Sequence, residues 1–252
     1  MADLNEIIKY LDTELQIESI PDYSGAMNGL QLKNDGNVTK VGSAVDASLP
    51  TIRKAIDAGV DLLIVHHGLF WHGAQKLVGA QYEKIKIAMD ANLAIYSAHI
   101  PLDVHPVYGN NALLCKEIGM ECPGAFHDWK GIKLGLKQEL DLGFDAVVTK
   151  VENAVDGKAH FCRGRDNLNA GMIGVITGGA GSELQAMADA GLNTFITGEG
   201  PHWSFPLAEE LGVNFIYGGH YATETFGVKK MMELVGDRFS VSNYFVFHPT
   251  GL

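Results

Sequence analysis

One segment of the chain closely resembles another, and this restricts the possible folds more than any other feature. The stretch VGSAVDASLPTIRKAIDAGVDLLIVHHGLFW, which begins at Val41, aligns without a gap on IGVITGGAGSELQAMADAGLNTFITGEGPHW, which begins at Ile173. Both copies contain an Asp-Ala-Gly triplet and end in tryptophan. Each copy predicts a strand, a turn of small residues, a helix and a second strand. Strands that alternate with helices indicate an α/β architecture.

The similarity resumes after a change of length, where IYSAHIPLD matches IYGGHYATE. This match aligns His99 with His220 and Asp103 with Glu224, so both copies read His-x-x-x-acid just after a strand. We interpret the chain as an α/β unit that was duplicated and folds into two similar lobes. The alternative is that two unrelated βα units resemble each other because glycine and alanine recur at turns. The ungapped length and the repeated His-x-x-x-acid pattern favour the duplication.

Strand and helix patterns alternate along most of the chain, after an N-terminal helix in MADLNEIIKYLDTELQ. The predicted strands span Lys40–Val45, Leu62–Val65, Leu93–Ser97, Ile132–Leu136, Ala159–Cys162, Ile173–Thr177, Thr194–Thr197, Asn214–Tyr217 and Tyr244–Phe247. The predicted helices span Leu49–Ala58, Tyr82–Asp90, Ala112–Ile118, Asp145–Ala154, Glu183–Ala190, Pro206–Leu211 and Thr223–Val235. The least patterned zone is Gly119–Gly131. We therefore expect one lobe in residues 1–125 and the other in residues 126–252, with a site shared between them.

Composition excludes several classes of function. The 252-residue chain carries a formal net charge of −11 and has no cluster of lysine and arginine, so neither nucleic acid nor an anionic membrane surface is expected as a partner. Its three cysteines, Cys115, Cys122 and Cys162, are too few and too irregularly spaced for a disulfide framework or a cysteine-based zinc site. The N-terminal stretch lacks the pattern of a signal peptide, and no apolar run approaches the roughly 20 residues of a membrane span. A cytoplasmic protein is expected.

Two adjacent histidines, His66 and His67, end an apolar strand in the stretch VDLLIVHHG. Neighbouring side chains on a strand point to opposite faces, so two such histidines rarely serve one purpose within the strand. Either one ring is packed and the other exposed, or both are aimed at a ligand just beyond the strand end. Gly68 follows them and would allow the chain to turn away tightly.

If a pseudo-two-fold axis relates the lobes, their strand ends meet in the cleft between them. That cleft would gather the residues His66, His67, His99, Asp103, Glu199, His220 and Glu224. A set of histidines and carboxylates without cysteine suits borderline or harder divalent ions such as Zn, Mn, Fe or Co. Since carboxylates can bridge two metals, the set is sufficient for a dinuclear centre with open positions. The alternative is that these are ordinary packed or surface histidines.

Two further patterns are weaker. The glycine-rich turn TGGAGSE (Thr177–Glu183) could bind an anion through its amides, but it lacks the Gly-Lys-Ser/Thr ending of a P-loop, and a plain tight turn is the simpler interpretation. Arg163 and Arg165 could clamp a phosphate, although surface arginines are usually solvated.

Six motifs together have a further meaning. They are, in chain order, NGLQ (Asn28–Gln31), VHHG (Val65–Gly68), HIPLDVHP (His99–Pro106), GNN (Gly109–Asn111), TGE (Thr197–Glu199) and GGHYATE (Gly218–Glu224). At these motifs the chain resembles a known family, the dinuclear-metal proteins called GTP cyclohydrolase 1 type 2 homologues. The most specific motifs are the paired histidines and the Gly-His-x-x-Thr-Glu pattern. The resemblance spans nearly the whole chain, and its least informative part is Glu121–Gly171.

The resemblance implies a two-lobed α/β subunit, two divalent metal ions per chain and a toroidal homohexamer. It implies Asp103 and Glu224 as bridging carboxylates, and it places His99 and Glu199 beside the metals as orienting or substrate-facing residues and candidate proton shuttles. The large insert domain of longer members is missing from this chain, so functions of that insert are not expected. The implied metal ligands are His66, His67, Asp103, His220 and Glu224.

The expected function is that of a metal-dependent hydrolase that cleaves a C–N or ester bond of a small molecule. The family name suggests a GTP cyclohydrolase-type activity on a purine nucleotide. The main alternative is a non-catalytic metal-binding ring or an interaction scaffold. A redox or oxygen-activating di-iron site is a third alternative, but such sites are usually carboxylate-rich and built in four-helix bundles.

Overall fold

Strands and helices alternate through the computed structural model, which describes residues 1–71, 73, 75–164 and 168–252. The first part contains β1 (Ala2–Asp3), α1 (Leu4–Glu14), β2 (Gly29–Leu32), β3 (Asn37–Val38), β4 (Lys40–Asp46), α2 (Leu49–Asp57), β5 (Leu62–His67), α3 (Gly79–Asp90), β6 (Ala94–Ser97), α4 (Ile100–Asp103) and α5 (Asn110–Ile118). The second part contains β7 (Gly124–Trp129), β8 (Ile132–Gly143), α6 (Phe144–Val155), β9 (His160–Cys162), β10 (Asn169–Val175), α7 (Leu184–Asp189), β11 (Thr194–Thr197), α8 (Ser204–Leu211), β12 (Asn214–Tyr217), α9 (His220–Thr223), α10 (Thr225–Phe239) and β13 (Ser242–Phe245). The expected α/β class is confirmed. Within these described ranges, no helix has the length and apolar character that a membrane span requires.

The chain divides into two compact units. Unit 1 contains residues 1–102 and 227–248, and unit 2 contains residues 103–226 and 249–252. These limits differ from the lobe boundary expected at residue 125. The C-terminal segment returns to unit 1 because β13 pairs in parallel with β4.

Unit 1 is built around a five-stranded sheet in the order β13-β4-β5-β6-β2. The first four strands are parallel, and β2 is an antiparallel edge strand. Helices α2 and α3 form the crossovers, and Leu63, Val65 and Ile95 contribute to the core on one face of the sheet. The hydroxyl of Tyr96 donates to Asp12 of α1, which anchors that helix to the sheet. A parallel sheet covered in this way presents the carboxyl ends of its strands at one edge.

Unit 2 has a six-stranded sheet in the order β7-β8-β10-β11-β12-β9. Strands β10, β11 and β12 are parallel, while β8 and β9 run antiparallel to their neighbours. Successive residues of β11 and β12 enter different cores: Phe195 and Phe215 pack into one, and Ile196 and Ile216 pack into the other. This alternation explains why neighbouring positions of these strands are apolar, as is usual for a parallel sheet that is covered on both faces.

The two units share a register at the aligned segments. In unit 1, Val41 pairs with Leu62, and in unit 2, Ile173 pairs with Thr194. The sequence alignment matches these same residues, Val41 with Ile173 and Leu62 with Thr194. Both units therefore contain a parallel strand pair of the same register, and the duplication itself stays a prediction.

The largest difference from the predicted elements lies in the least patterned zone. The strand predicted at Ile132–Leu136 continues to Gly143, and it pairs with β7, which the sequence did not predict. Of the six residues of β7, only Phe126 is buried, so the strand carries no clear apolar signal. Lys130 and Gly131 join the two strands with φ angles of +48° and +89°, as in a type I′ hairpin turn.

Candidate metal centre

Three histidines of unit 1 converge at the carboxyl edge of its sheet. His66 and His67 end β5, and His99 follows β6 by two residues. The ring centroid of His66 lies 4.8 Å from those of both His67 and His99, and one nitrogen from each ring lies within 4.8 Å of the others. His66 is buried and His67 is partly buried. The adjacent histidines are therefore members of one cluster that could hold a metal ion.

The paired histidines are each held through one ring nitrogen. Nδ1 of His66 donates to the carbonyl oxygen of Ala98 at 2.9 Å, and Nδ1 of His67 donates to Oδ1 of Asp46 at 2.9 Å. Asp46 lies opposite His67 in the sheet register. When an oxygen acceptor takes the Nδ1 proton, the Nε2 lone pair of the ring is left to coordinate a metal.

His99 is held in the same way by Asp22, a residue that the sequence analysis did not single out. Nδ1 of His99 donates to Oδ1 of Asp22 at 2.8 Å, and Asp22 also accepts from Asn28 and from the amide of Ile100. Burial opposes ionisation of this carboxyl, but its hydrogen bonds with His99, Asn28 and Tyr23 outweigh burial and lower the pKa of Asp22. An ionised Asp22, whose side chain is only 7% exposed, is well suited to orient an imidazole.

Unit 2 carries its own donor pair, His220 and Glu224. His220 begins α9, and Nε2 of its ring lies 3.1 Å from Oε1 of Glu224, whose side chain is only 3% exposed. Nδ1 of His220 donates to Oε1 of Glu199 at 2.7 Å. Burial of His220 disfavours its charged form, but the hydrogen bonds and charges of Glu224 and Glu199 prevail and raise the pKa of His220 to about 9. The two carboxylates thus stabilise a positive charge at the His220 ring, and they would stabilise a metal cation there in the same way.

Asp103 of unit 2 is fixed by neighbours from the GNN motif. Its Oδ1 accepts from Nδ2 of Asn110 at 2.8 Å and from the hydroxyl of Thr177 at 3.3 Å. Asn111 in turn accepts from the amide of Thr177 at 2.8 Å. Asp103, Asn110 and Asn111 are all buried. The GNN motif thus orients a carboxylate, which the sequence alone did not reveal.

The chemistry of these donors fits a borderline or hard divalent cation. The sets consist of imidazoles and carboxylates, and no cysteine belongs to the clusters that the described residues form. The Glu224 carboxylate also fits closely against a glycine: a Cβ at Gly178 would lie 2.2 Å from its Oε1. Buried donors that are held by hydrogen bonds and close backbone packing are typical of metal sites.

The two residues expected beside the metals have different surroundings. His99 belongs to the three-histidine cluster of unit 1 and could itself supply a ligand atom. Glu199 holds the ring of His220, which is an orienting position. Its side chain is 41% exposed, so it also faces solvent.

The contacts of the glycine-rich turn Thr177–Glu183 and of Arg163 do not support the anion binding considered for them. In the glycine-rich turn, the amides of Thr177, Gly178 and Ala180 donate to side chains of the protein, as in an ordinary structural turn. Arg163 pairs with Asp145 at the surface. Arg165 lies outside the described residues.

Comparison with known proteins extends over almost the whole sequence. The chain is 36% identical to a GTP cyclohydrolase 1 type 2 homolog of Deinococcus radiodurans, with 98% of this chain and 94% of the relative covered. It is 38% identical to a protein of the same name from Pyrococcus abyssi, with 98% of each covered. The crystal structure of TTHA1606 from Thermus thermophilus matches 99% of this chain and 100% of that chain, with a TM-score of 0.83 and 34% identity.

Residues 2–249 of the chain also match the model of a protein family, Duf34/NIF3 (NGG1p interacting factor 3). The resemblance found in the motifs is thereby confirmed. The chain belongs to the DUF34/NIF3 family.

Proposed function

We propose that this protein is a hydrolase that uses two divalent metal ions. In this proposal the ligands are His66, His67, Asp103, His220 and Glu224. The observation that carries the proposal is the arrangement of the imidazoles. His66, His67 and His220 each donate through Nδ1 to an oxygen acceptor, so each ring is oriented for coordination through Nε2.

Two divalent ions held by these ligands would supply Lewis acidity and a nucleophile derived from water, the requirements for attack on a C–N or ester bond. The chain's contribution is to hold the ligands in advance. Asp46 and Glu199 fix two of the rings, and Asn110 fixes the Asp103 carboxylate. Because these partners keep the ligands in place, little reorganisation is needed when metal and substrate bind.

Proton transfer is assigned to Glu199, with His99 as the second candidate. The Glu199 carboxylate accepts a hydrogen bond from His220, and its partly exposed side chain can reach a substrate from the solvent side. His99 is buried and its ring is held by Asp22, so it is the second candidate for this proton transfer. A general acid or base must lie within hydrogen-bond reach of the reacting group.

The relatives' name suggests one substrate to test first. GTP cyclohydrolases open the imidazole ring of a purine nucleotide, so loss of the purine absorbance of GTP is the first assay. A panel of cyclic amides and esters extends it to other substrates with the same bond type. The homohexamer implied by the resemblance is also proposed, and light scattering would then give a mass near six times that of the 27.2 kDa chain.

Metal content per chain is the decisive measurement. Plasma mass spectrometry of protein purified without an affinity tag should find about two equivalents of metal, as a dinuclear centre requires. Less than about a tenth of an equivalent, unchanged after incubation with Zn, Mn and Fe(II), would overturn the proposal.

Variants then test the catalytic part. Glu224→Ala should lower metal-dependent turnover by orders of magnitude, because it removes a buried ligand. Glu210→Ala, which removes an exposed glutamate of α8 in the same unit, is the matched control and should keep full activity. Stable metal loading without turnover on the whole panel would favour the non-catalytic metal-binding alternative.

A further inference from the structure

The edge strand β2 of unit 1 contains a β-bulge at Gln31. Between Leu30 and Leu32 the pairing of β2 with β6 advances by two residues on β2 but by one on β6, so Gln31 is the extra residue. A bulge re-aims the side chain of such a residue, and bulges are frequent at sheet edges and next to functional sites. Gln31 closes the NGLQ motif, and the mechanism proposed above does not use it.

The side-chain amide of Gln31 joins two loops. Its Oε1 accepts a hydrogen bond from the backbone amide of Leu69 at 2.6 Å. Its Nε2 donates to the carbonyl oxygens of Ala26 at 3.1 Å and Met27 at 3.0 Å. Leu69 follows the paired histidines by two residues, and its side chain is buried in the core of unit 1. The backbone just after the paired histidines is therefore tied to the loop before β2 through the Gln31 side chain.

Gly68 leaves the space in which this amide lies. A Cβ at Gly68 would be 2.4 Å from both Nε2 and Oε1 of Gln31, closer than real side chains approach. The backbone of Gly68 lies outside the left-handed region, so its conformation does not require glycine. This differs from the expectation that Gly68 allows a tight turn. A glycine is needed here because the Gln31 amide occupies the place of a side chain.

A second amide of the same motif holds the neighbouring strand end. Oδ1 of Asn28 accepts from the backbone amide of His99 at 2.8 Å, and its Nδ2 donates to Asp22 at 2.8 Å. Asn28 thus fixes the segment after β6, as Gln31 fixes the segment after β5. Strand β2 lies beside β6 at the edge of the sheet, and its motif reaches both segments that carry the three-histidine cluster.

We propose that Gln31 is a positioning residue of the candidate metal centre. It holds the backbone that follows His66 and His67, and through this backbone it keeps both imidazoles where they can coordinate. This role rests on the proposed function, because it assumes that the paired histidines bind metal. It follows that removing the Gln31 amide, or displacing it with a methyl group at Gly68, has the same consequence for metal binding.

The Zn(II) affinity of metal-stripped protein, measured against a competing chelator, tests this role. Gln31→Ala should bind Zn(II) about tenfold more weakly, at the lower end of the effect that residues orienting metal ligands usually have. Gly68→Ala should show a similar loss, because its methyl group displaces the Gln31 amide. The double variant should lose no more than either single variant, because both changes break the same contact. The visible absorption spectrum of Co(II)-loaded protein, which reports ligand geometry, should change alike in all three variants.

Two control variants separate this role from a general loss of stability. Gln138→Ala removes another partly buried glutamine whose Oε1 accepts a backbone amide, that of Cys122 at 3.0 Å in unit 2. Gly42→Ala adds a methyl group 2.8 Å from Val60, in the same sheet as the paired histidines. Urea unfolding measures the stability of each protein. Both controls should keep the Zn(II) affinity and the Co(II) spectrum of the unmodified protein.

Unchanged Zn(II) affinity in Gln31→Ala would overturn the inference. Losses that multiply in the double variant would also overturn it, since Gln31 and Gly68 would then act independently. So would a loss in Gly42→Ala as large as that in Gly68→Ala, since reduced stability alone would then explain the result. Metal content of the unmodified protein reports on the proposed function separately. If that protein loads two metals and Gln31→Ala binds them equally well, only the role of Gln31 is refuted, whereas an unmodified protein that loads none refutes the proposed function itself.

Discussion

Replacing Gly178 by alanine is expected to displace the Glu224 carboxylate without unfolding the chain. Gly178 lies just after β10 with a φ angle of +70°. A Cβ built there would lie 2.2 Å from Oε1 of Glu224 and 3.6 Å from Nε2 of His220. The added methyl group therefore meets the proposed ligand oxygen directly, and the substitution tests whether that oxygen binds metal.

The magnitude follows from two contributions. An L-residue in the left-handed region costs roughly 1–2 kcal/mol of folding stability. To restore an ordinary carbon–oxygen contact, the oxygen must also move by about 1 Å, which is half of a metal–oxygen bond of roughly 2.1 Å. A ligand displaced so far no longer coordinates well, and metal affinity should fall at least about tenfold, or about 1.4 kcal/mol.

Two other glycines separate these contributions. Gly191 has a φ angle of +78°, and a methyl group added there would have no atom within 4 Å, so Gly191→Ala carries the backbone cost alone. Gly179 has a Cβ position 3.5 Å from Cε1 of His220, an ordinary contact, so Gly179→Ala adds a methyl group near the site without a clash. Each protein is stripped of metal, titrated with Zn(II) against a competing chelator, and unfolded in urea.

The expected result is a loss of metal affinity in Gly178→Ala only. Gly178→Ala and Gly191→Ala should both lose about 1–2 kcal/mol of unfolding free energy in the metal-free state. If Gly178→Ala binds Zn(II) as tightly as Gly191→Ala, then Glu224 is not a ligand and the reasoning from the close contact is refuted. If Gly179→Ala loses as much affinity as Gly178→Ala, general crowding near His220 rather than displacement of the Glu224 oxygen is responsible.

Three further predictions rest on other residues. Asp46→Asn should weaken metal binding about 10- to 100-fold in a chelator competition, because the orienting acceptor of His67 loses its charge; unchanged affinity would contradict this role. The pKa of His220 is raised to about 9 in the folded, metal-free chain, against about 6.5 in the unfolded chain. Its protonation therefore stabilises the folded state fully below pH 6.5, and this stabilisation is lost as the pH rises through 9. Urea unfolding between pH 6 and 10 should show this loss, and the same scan of His220→Gln should be flatter. Ellman's reagent should modify exposed Cys122 rapidly in native protein, whereas burial raises the pKa of Cys115 to about 12 and keeps that thiol unreactive until the chain unfolds.

The parts of the fold that the sequence predicted are those with one dominant local signal. Strands β11 and β12 were predicted with correct ends, since each is a short segment of β-branched and aromatic residues that is buried on both faces. The hairpin of β7 and β8 was not predicted as a pair, because most of its side chains are partly or fully exposed and its Lys-Gly turn is a weak signal. Strand β13 could not be assigned to unit 1, since its parallel pairing with β4 joins residues about 200 positions apart.

In the candidate site, too, the residues with a local sequence signal were predicted and those placed by tertiary pairing were not. The sequence selected the residues with ligand atoms, because histidines and acids at strand ends form a recognisable pattern. It did not select Asp46 or Asp22, the acceptors that fix His67 and His99. Asp46 precedes His67 by 21 residues, and only the sheet register places the two side by side. Orienting residues of this kind depend on tertiary pairing, so a single sequence carries no local signal for them.

The alignment between the two segments also shows that position and role are separable. It matches His67 of unit 1 with Glu199 of unit 2. His67 belongs to the histidine cluster and is held by a carboxylate, whereas Glu199 is itself the carboxylate that holds an imidazole. The same strand end thus carries a candidate ligand in one unit and an orienting acceptor in the other. In both units the result is the same: an imidazole of the candidate site has an oxygen acceptor at Nδ1. This hydrogen bond, and not the identity of the residue, is what the two strand ends have in common.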